Sequence, residues 1–231
     1  MAHKLGKYTY LTDAAPSVLA WGSVGSKKEA QGPLAPYFDL LNEDSTFGEQ
    51  TWEKAESEMQ KEAIAKALEK AGLSAPDLDC IFAGDLLNQC TGSTFGLREL
   101  GVPFLGLYGA CSTMAEGLVL SAFLLDSGAM QKTAVITSSH FCSAERQYRF
   151  PLEYGGQRTP TSQWTATASG AAILGQNVSP PYIRAVCVGT IEDKGIKDQN
   201  NMGAAMAPAA FETLRRFFED TGTNPDNYDL I

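Results

Sequence analysis

The residues with the clearest chemical potential lie in the stretch YGACSTMAEGLVLSAFLLDSGAMQ, Tyr108 to Gln131, which sets Cys111 after a Gly-Ala turn and before a long apolar run. A cysteine at a helix N-terminus meets unpaired N–H donors and the positive end of the macrodipole, and both favour the thiolate. Three roles fit it: a nucleophile, part of a ligand-binding wall, or a small apolar residue buried at a helix start. Nucleophilic turnover also asks for a base and for donors to an oxyanion. The chain holds two histidines, His3 and His140, and His3 lies too near the N-terminus to suggest a role. His140 directly follows the apolar segment TAVITSS, at the carboxyl edge of a sheet where α/β folds build their sites. A hydrogen-bonded structural histidine at a strand end accounts for it equally well. Asp85, closing IFAGD, falls at the same edge and reads either as a site carboxylate or as a cap leading into LLNQ.

The elements that must position these residues alternate between strand and helix. The spacing of Trp52, Ala55, Met59, Ala63, Ala67 and Ala71 predicts a helix, capped by Thr51 and ended by Gly72, with the acidic residues from Glu53 to Glu62 on its solvated face. LDCIFAGD, VPFLGLYGA, TAVITSS and ASGAAIL read as strands, the first almost wholly apolar and suited to a sheet covered on both faces. This order predicts an α/β fold with a largely parallel sheet. In the helix after Cys111, Met114, Leu118, Ala122, Leu125 and Ala129 make one stripe, while Val119, Leu120, Phe123 and Leu124 fill the other sides. A helix apolar all round is expected to be buried on all sides, between layers of sheet.

Composition narrows the function classes. Lys+Arg 18 against Asp+Glu 27 gives a net charge of −9, which argues against nucleic acid and against an unassisted anionic membrane surface. An anionic ligand would need a locally positive site. The five cysteines are odd in number, form no CxxC, and follow an N-terminus without an apolar signal segment, as expected of reduced thiols in the cytoplasm. Cys80 and Cys187 fall in strand patterns, Cys90 and Cys142 in loops without metal-ligand spacing, so no metal site is expected. The run Leu118 to Leu125 is too short to span a bilayer, which leaves a soluble or membrane-peripheral protein.

The chain also repeats itself. LEKAGLSAPDLDCI (Leu68 to Ile81) and FEDTGTNPDNYDLI (Phe218 to Ile231) place Glu, Gly, Asp and Ile at the same relative offsets, each as helix end, Gly stop, Pro-Asp loop and strand start. The expectation is an internal duplication, with a first repeat over residues 1–178 that carries a long polar stretch near 140–165, and an incomplete second repeat over 179–231.

Two α/β repeats with a cysteine opening a buried helix after Gly-Ala resemble the thiolase superfamily. Within it, AGDLLNQ, GACST, TSSH followed by AERQ, EYGGQ and MGAAMAPAA are similar to the stage V sporulation AD family of spore-forming bacteria. The resemblance implies a duplicated thiolase-like fold, with sheets layered around buried central helices and the second repeat cut short. It implies binding of dipicolinic acid (pyridine-2,6-dicarboxylate) and its uptake into the developing spore. It implies a cytoplasmic location peripheral to the forespore or spore inner membrane, beside channel proteins of the same system and with a homodimer possible. A flat aromatic dianion wants guanidinium forks, N–H donors and an aromatic wall. The helix-end donors from Cys111 to Thr113, then Arg146, Arg149 and Arg158, with Tyr148 and Tyr154 to stack, are the groups to supply them. Asp85 would act on a dianion only through water, bound Ca²⁺ or an arginine that it orients. The alternative is a thiolase or ketoacyl-synthase relative that moves acyl groups from a CoA or carrier-protein thioester through Cys111.

Overall fold

A computed structural model of the 231-residue chain describes residues 1–149, 165–176, 179–198 and 201–231. Its strands are β1 (His3–Leu5), β2 (Thr9–Leu11), β3 (Ser17–Ser26), β4 (Leu40–Asn42), β5 (Cys80–Gly84), β6 (Phe104–Gly106), β7 (Lys132–Ser139), β8 (Ala168–Gly175) and β9 (Ala185–Cys187). The α-helices are α1 (Trp52–Ala71), α2 (Thr91–Leu97), α3 (Thr113–Asp126) and α4 (Met202–Thr221). A six-stranded sheet runs β4-β3-β8-β7-β5-β6, and a three-stranded sheet runs β1-β2-β9. The large sheet is mixed: β8 is antiparallel to both β3 and β7, while β3/β4, β5/β7 and β5/β6 are parallel. The largely parallel sheet expected from element order is corrected by β8, which returns through the long stretch after β7 without a helical crossover among the described residues.

Period-two alternation sorts the strands onto two cores. Ile81, Ala83, Ala134, Ile136, Ala171 and Ile173 face α1, whose Ala55, Met59, Ala63 and Ala67 pack against them. Cys80, Phe82, Val135, Ala172 and Leu174 face the opposite side, with Leu125 of α3. Thr51 caps α1 by accepting from Lys54 N, and Gly72 ends it with φ 64°. The second row of that helix, Glu56, Gln60, Ile64 and Leu68, is also buried. Glu56 therefore leaves the solvated acidic face on which its sequence neighbours placed it.

α3 buries Thr113, Gly117, Ser121, Ala122, Leu125 and Asp126, with Gly117 and Leu125 against the large sheet. A Cβ on Gly117 would stand 2.3 Å from Val135 Cγ1, so this glycine sets how closely helix and strand approach. On the other side, Tyr10 of β2 meets Phe123 edge-on at 5.4 Å, and Asp126 Oδ1 accepts from Ala14 N at 2.6 Å. α3 thus lies between the two sheets, but Ala115 and Glu116 remain exposed and most of its outer apolar face is only half covered. Burial on all sides is not reached among the described residues.

The two similar segments share local geometry. α1 and α4 are both 20 residues long, Gly72 and Gly222 both end them in the left-handed conformation, and each is followed by a 3₁₀ turn with a capping box, Ser74 to Asp77 and Asn224 to Asn227. Their packing differs, because α4 buries none of its residues. Its anchor is Asp220, which accepts from the N–H groups of Lys7, Tyr8 and Thr9 at 2.7–2.9 Å.

Candidate functional site

The carboxyl edge of the large sheet is where the chain gathers its polar groups. After β6, Leu107 runs close under β5: a Cβ on Gly84 would meet the Leu107 carbonyl oxygen at 2.1 Å, so only glycine admits this approach. The chain then turns through a 3₁₀ segment, Ala110–Ser112, with Ala110 at φ 48°, and enters α3. Cys111 sits on this bend and is exposed. Ser112 N–H donates to Gly109 O at 3.0 Å and Thr113 N–H to Ala110 O, so two of the helix-end donors expected to hold a carboxylate are spent inside the turn. Glu116, in the first turn of α3, also brings a carboxylate to the positive end of the helix, with an oxygen 2.6 Å from where a Gly109 Cβ would stand.

Asp85 and His140 are both buried. Asp85 accepts from Leu87 N at 2.8 Å, and from Ser93 N and Ser93 Oγ at 2.7 Å each, which makes it the cap that fixes the LLNQ turn onto α2. His140 Nδ1 accepts from Cys142 N at 3.1 Å, so Nε2 carries the hydrogen that goes to Ser45 O at 2.9 Å. The ring packs on Trp52 with centroids 5.1 Å apart. Burial holds its basicity below the usual histidine value, with the Ser45 bond offsetting part of that effect. The ring thus faces the start of α1, whereas Cys111 opens α3 on the opposite face of the sheet. His3 pairs with Asp13 at 2.9 Å. Neither histidine therefore has Cys111 as a partner.

A second group at this edge was not singled out from the sequence. Glu56 Oε1 accepts from Ser138 Oγ at 2.8 Å and Oε2 from Ser143 Oγ at 2.5 Å. Gln60 Nε2 donates to Ser138 Oγ at 2.6 Å and to Ser93 Oγ at 2.9 Å, and Ser93 reaches Asp85. Burial pushes the Glu56 carboxyl up to about 7; the Ser143 hydroxyl offsets part of the rise, Asp85 adds to it, Ser138 offsets more and Glu53 adds slightly. One signal was available: Glu56 and Gln60 precede Ile64 and Leu68 at i+4 spacing, in phase with a row that must face the sheet.

The rim carries the remaining candidates. Arg146 is exposed on the 3₁₀ turn Arg146–Tyr148, in the loop that follows β7. That loop is tied to the β5 edge by Glu145 N donating to Leu86 O and by Asn88 N donating to Glu145 Oε1, both at 2.9 Å. Tyr108 stands within electrostatic reach of Tyr148 and Glu145, and its hydroxyl is held above the usual phenol value by partial desolvation first and by those two groups next. Tyr108 and the loop Glu145–Tyr148 are therefore neighbours at this edge of the sheet. Arg149 Nη1 turns back to Cys142 O at 3.5 Å. Arg158 and Tyr154 lie outside the described residues. Cys90, expected in a loop, is buried, with its thiol 3.0 Å from Leu107 O. Among the described residues no group of three or more His, Cys, Asp or Glu is placed to hold a metal ion.

Comparison with known proteins bears on this geometry. A family match described as "Stage V sporulation protein AD (SpoVAD)" spans residues 6–231. The chain belongs to the SpoVAD family. It is 39% identical over 226 residues to stage V sporulation protein AD of Bacillus subtilis (strain 168), covering 98% of this chain and 67% of that relative. Among solved structures, the fold is similar to 3-oxoacyl-(acyl carrier protein) synthase III of Xanthomonas oryzae pv. oryzae, with TM-score 0.63 and 16% identity over 99% of this chain and 77% of the other. It is also similar to an OleA variant of Xanthomonas campestris bound with cerulenin, with TM-score 0.64 and 13% identity over 95% and 74% of the two chains. The α/β fold is thus that of the thiolase-like synthases, and at these identities the likeness speaks for the fold alone.

Proposed function

We propose that this chain is a dipicolinate-binding module that acts in uptake of dipicolinate into the developing spore and performs no acyl transfer of its own. The observation that carries the reading is the fate of the histidines. His140 is buried with both ring nitrogens bonded, to Ser45 O and Cys142 N, and His3 pairs with Asp13. Among the described residues neither histidine stands beside Cys111, and the exposed thiol fits the wall of a binding site. Membership of a sporulation family supports the same choice.

In this proposal the ligand lies at the rim shared by Tyr108, Cys111, Arg146 and Tyr148, where one guanidinium meets one carboxylate and a phenol ring covers the pyridine. Arg158 and Tyr154, which lie outside the described residues, are carried in the proposal as candidates for the second carboxylate contact and a further ring. Asp85 and His140 hold the sheet edge on which the rim is built, and Ca²⁺ enters only as an ion brought with the ligand. The module works beside the channel proteins of the same system at the forespore membrane, on its cytoplasmic side. Among the described residues no helix is long and apolar enough to cross a membrane. Residues 1–178 form the first repeat and 179–231 open the second.

Incubation with an acyl-CoA followed by intact-mass measurement separates this proposal from the thioester alternative. The expected result is no added acyl mass. An adduct that forms at a catalytically useful rate, and disappears in Cys111→Ser, would establish acyl transfer instead.

A further inference from the structure

Glu56 is buried where α1, β7 and the loop after β7 meet, and the hydrogen-bond donors to its carboxyl both come from outside its own helix. Ser143 Oγ, 2.5 Å from Glu56 Oε2, also stands 3.2 Å from the His140 carbonyl. One hydroxyl proton therefore has two acceptors. With Glu56 ionised, the Ser143 proton points at the carboxylate. With Glu56 protonated, the carboxyl donates to Ser143 Oγ and Ser143 turns its own proton to the His140 carbonyl. Both states keep every group bonded, so the pair is a built place for one proton.

The two states differ in charge. Among the described residues, the charged groups that act on the ionised carboxylate are themselves acidic: Asp85 faces it from the end of β5, and Glu53 from its own helix. α2 (TGSTFGL) and β8 (ASGAAILG) carry no charged side chain. The cation of β7, Lys132, lies at the far end of that strand. From the β7 end come the hydroxyls of Ser138 and Ser143, while the His140 ring turns away onto Trp52 and Ser45 O. A buried anion facing carboxylates gains most by reaching water. The loop from His140 to Arg149 packs against this carboxyl through Ser143, and is held by Ser143 N and Ala144 N on His140 O, by Glu145 N on Leu86 O, by Asn88 N on Glu145 Oε1 and by Phe141 N on Thr167 Oγ1.

We propose that Glu56 is a proton-operated latch on this loop: protonated, it seals the loop over the end of α1; ionised, it releases the loop and with it Arg146 and Tyr148. Glu56 is a positioning residue for the rim and touches no ligand, and the latch belongs to the chain whether or not dipicolinate binds. Hydrogen exchange of the full chain tests it, read on peptides covering residues 141–149 between pH 5 and pH 8.5 after correction for the intrinsic pH dependence of exchange. The expected result is that protection falls on the order of tenfold as pH rises through a midpoint near 7, while peptides from α3 keep theirs. Glu56→Gln abolishes the step. If that variant fails to fold, Ser143→Ala serves, because loss of a donor to the carboxylate moves the midpoint upward. Flat protection in the wild type, a step that survives Glu56→Gln, or an unmoved midpoint in Ser143→Ala would each overturn the latch.

Discussion

Ser138, next to last in β7, donates to Glu56 on α1 at 2.8 Å, and this bond ties the carboxyl edge of the sheet to the helix that covers it. The bond is made to a carboxyl whose protonation changes near neutral pH, so the stability of the fold carries a pH signature.

A carboxyl raised from its usual value to about 7 in the folded chain stabilises the fold fully below about 4.5, and that contribution is lost as pH rises through about 7. The difference corresponds to about 3 kcal/mol. His140, lowered by burial, acts in the opposite sense: its contribution is present above 6.5 and is lost as pH falls below it. Comparing wild type with Glu56→Gln cancels the histidine. Denaturant melts are expected to show Glu56→Gln as the more stable chain at pH 8, with the gap closing toward pH 5. A gap independent of pH would contradict the assignment.

Gly84→Ala tests the bend that carries Cys111. The added methyl would stand 2.1 Å from the Leu107 carbonyl oxygen, a backbone atom that cannot swing aside. The expected loss is about 3 kcal/mol, read as a lower Tm, and a variant that melts like wild type would contradict the close approach.

Cys111 is exposed, so its substitutions separate wall from core. Cys111→Ser and Cys111→Leu are both expected to melt within about 0.5 kcal/mol of wild type. Cys111→Leu is expected to lose dipicolinate binding by bulk, while Cys111→Ser weakens it modestly. Collapse of the fold in Cys111→Leu would return this residue to the core.

Much of the frame was legible in the sequence because it rests on local rules. Thr51 and Gly72 mark the ends of α1 by capping chemistry, and alternation within CIFAG and TAVITSS places the strands. The direction of β8 was not legible: ASGAAIL reads the same in a parallel or an antiparallel strand, and the pairing with β3 and β7 is decided by tertiary contacts. Glu56 was read as solvated because an acidic residue among acidic neighbours looks exposed. Its burial depends on Ser138 and Ser143, more than eighty residues away in the chain. Asp85 and His140 were placed correctly at the sheet edge, but whether a polar residue there faces a ligand or a backbone group depends on partners such as Ser93 and Ser45, which spacing does not reveal.

Arg146 stands exposed on the rim, and Arg158 joins it in the proposal. If either forks a carboxylate, replacement by lysine loses the planar bidentate geometry and weakens dipicolinate binding by about 1 kcal/mol or more. Unchanged affinities for Arg146→Lys and Arg158→Lys would make both of them surface residues.

Dipicolinate binding itself is read most directly by calorimetric titration of the chain with pyridine-2,6-dicarboxylate, with and without Ca²⁺, beside pyridine-2-carboxylate as the analogue lacking one carboxylate. The expected result is a saturable heat for the dicarboxylate, weaker for the monocarboxylate and lost in Cys111→Leu. A titration that yields only heats of dilution with the dicarboxylate, in both the presence and the absence of Ca²⁺, would contradict the proposed function.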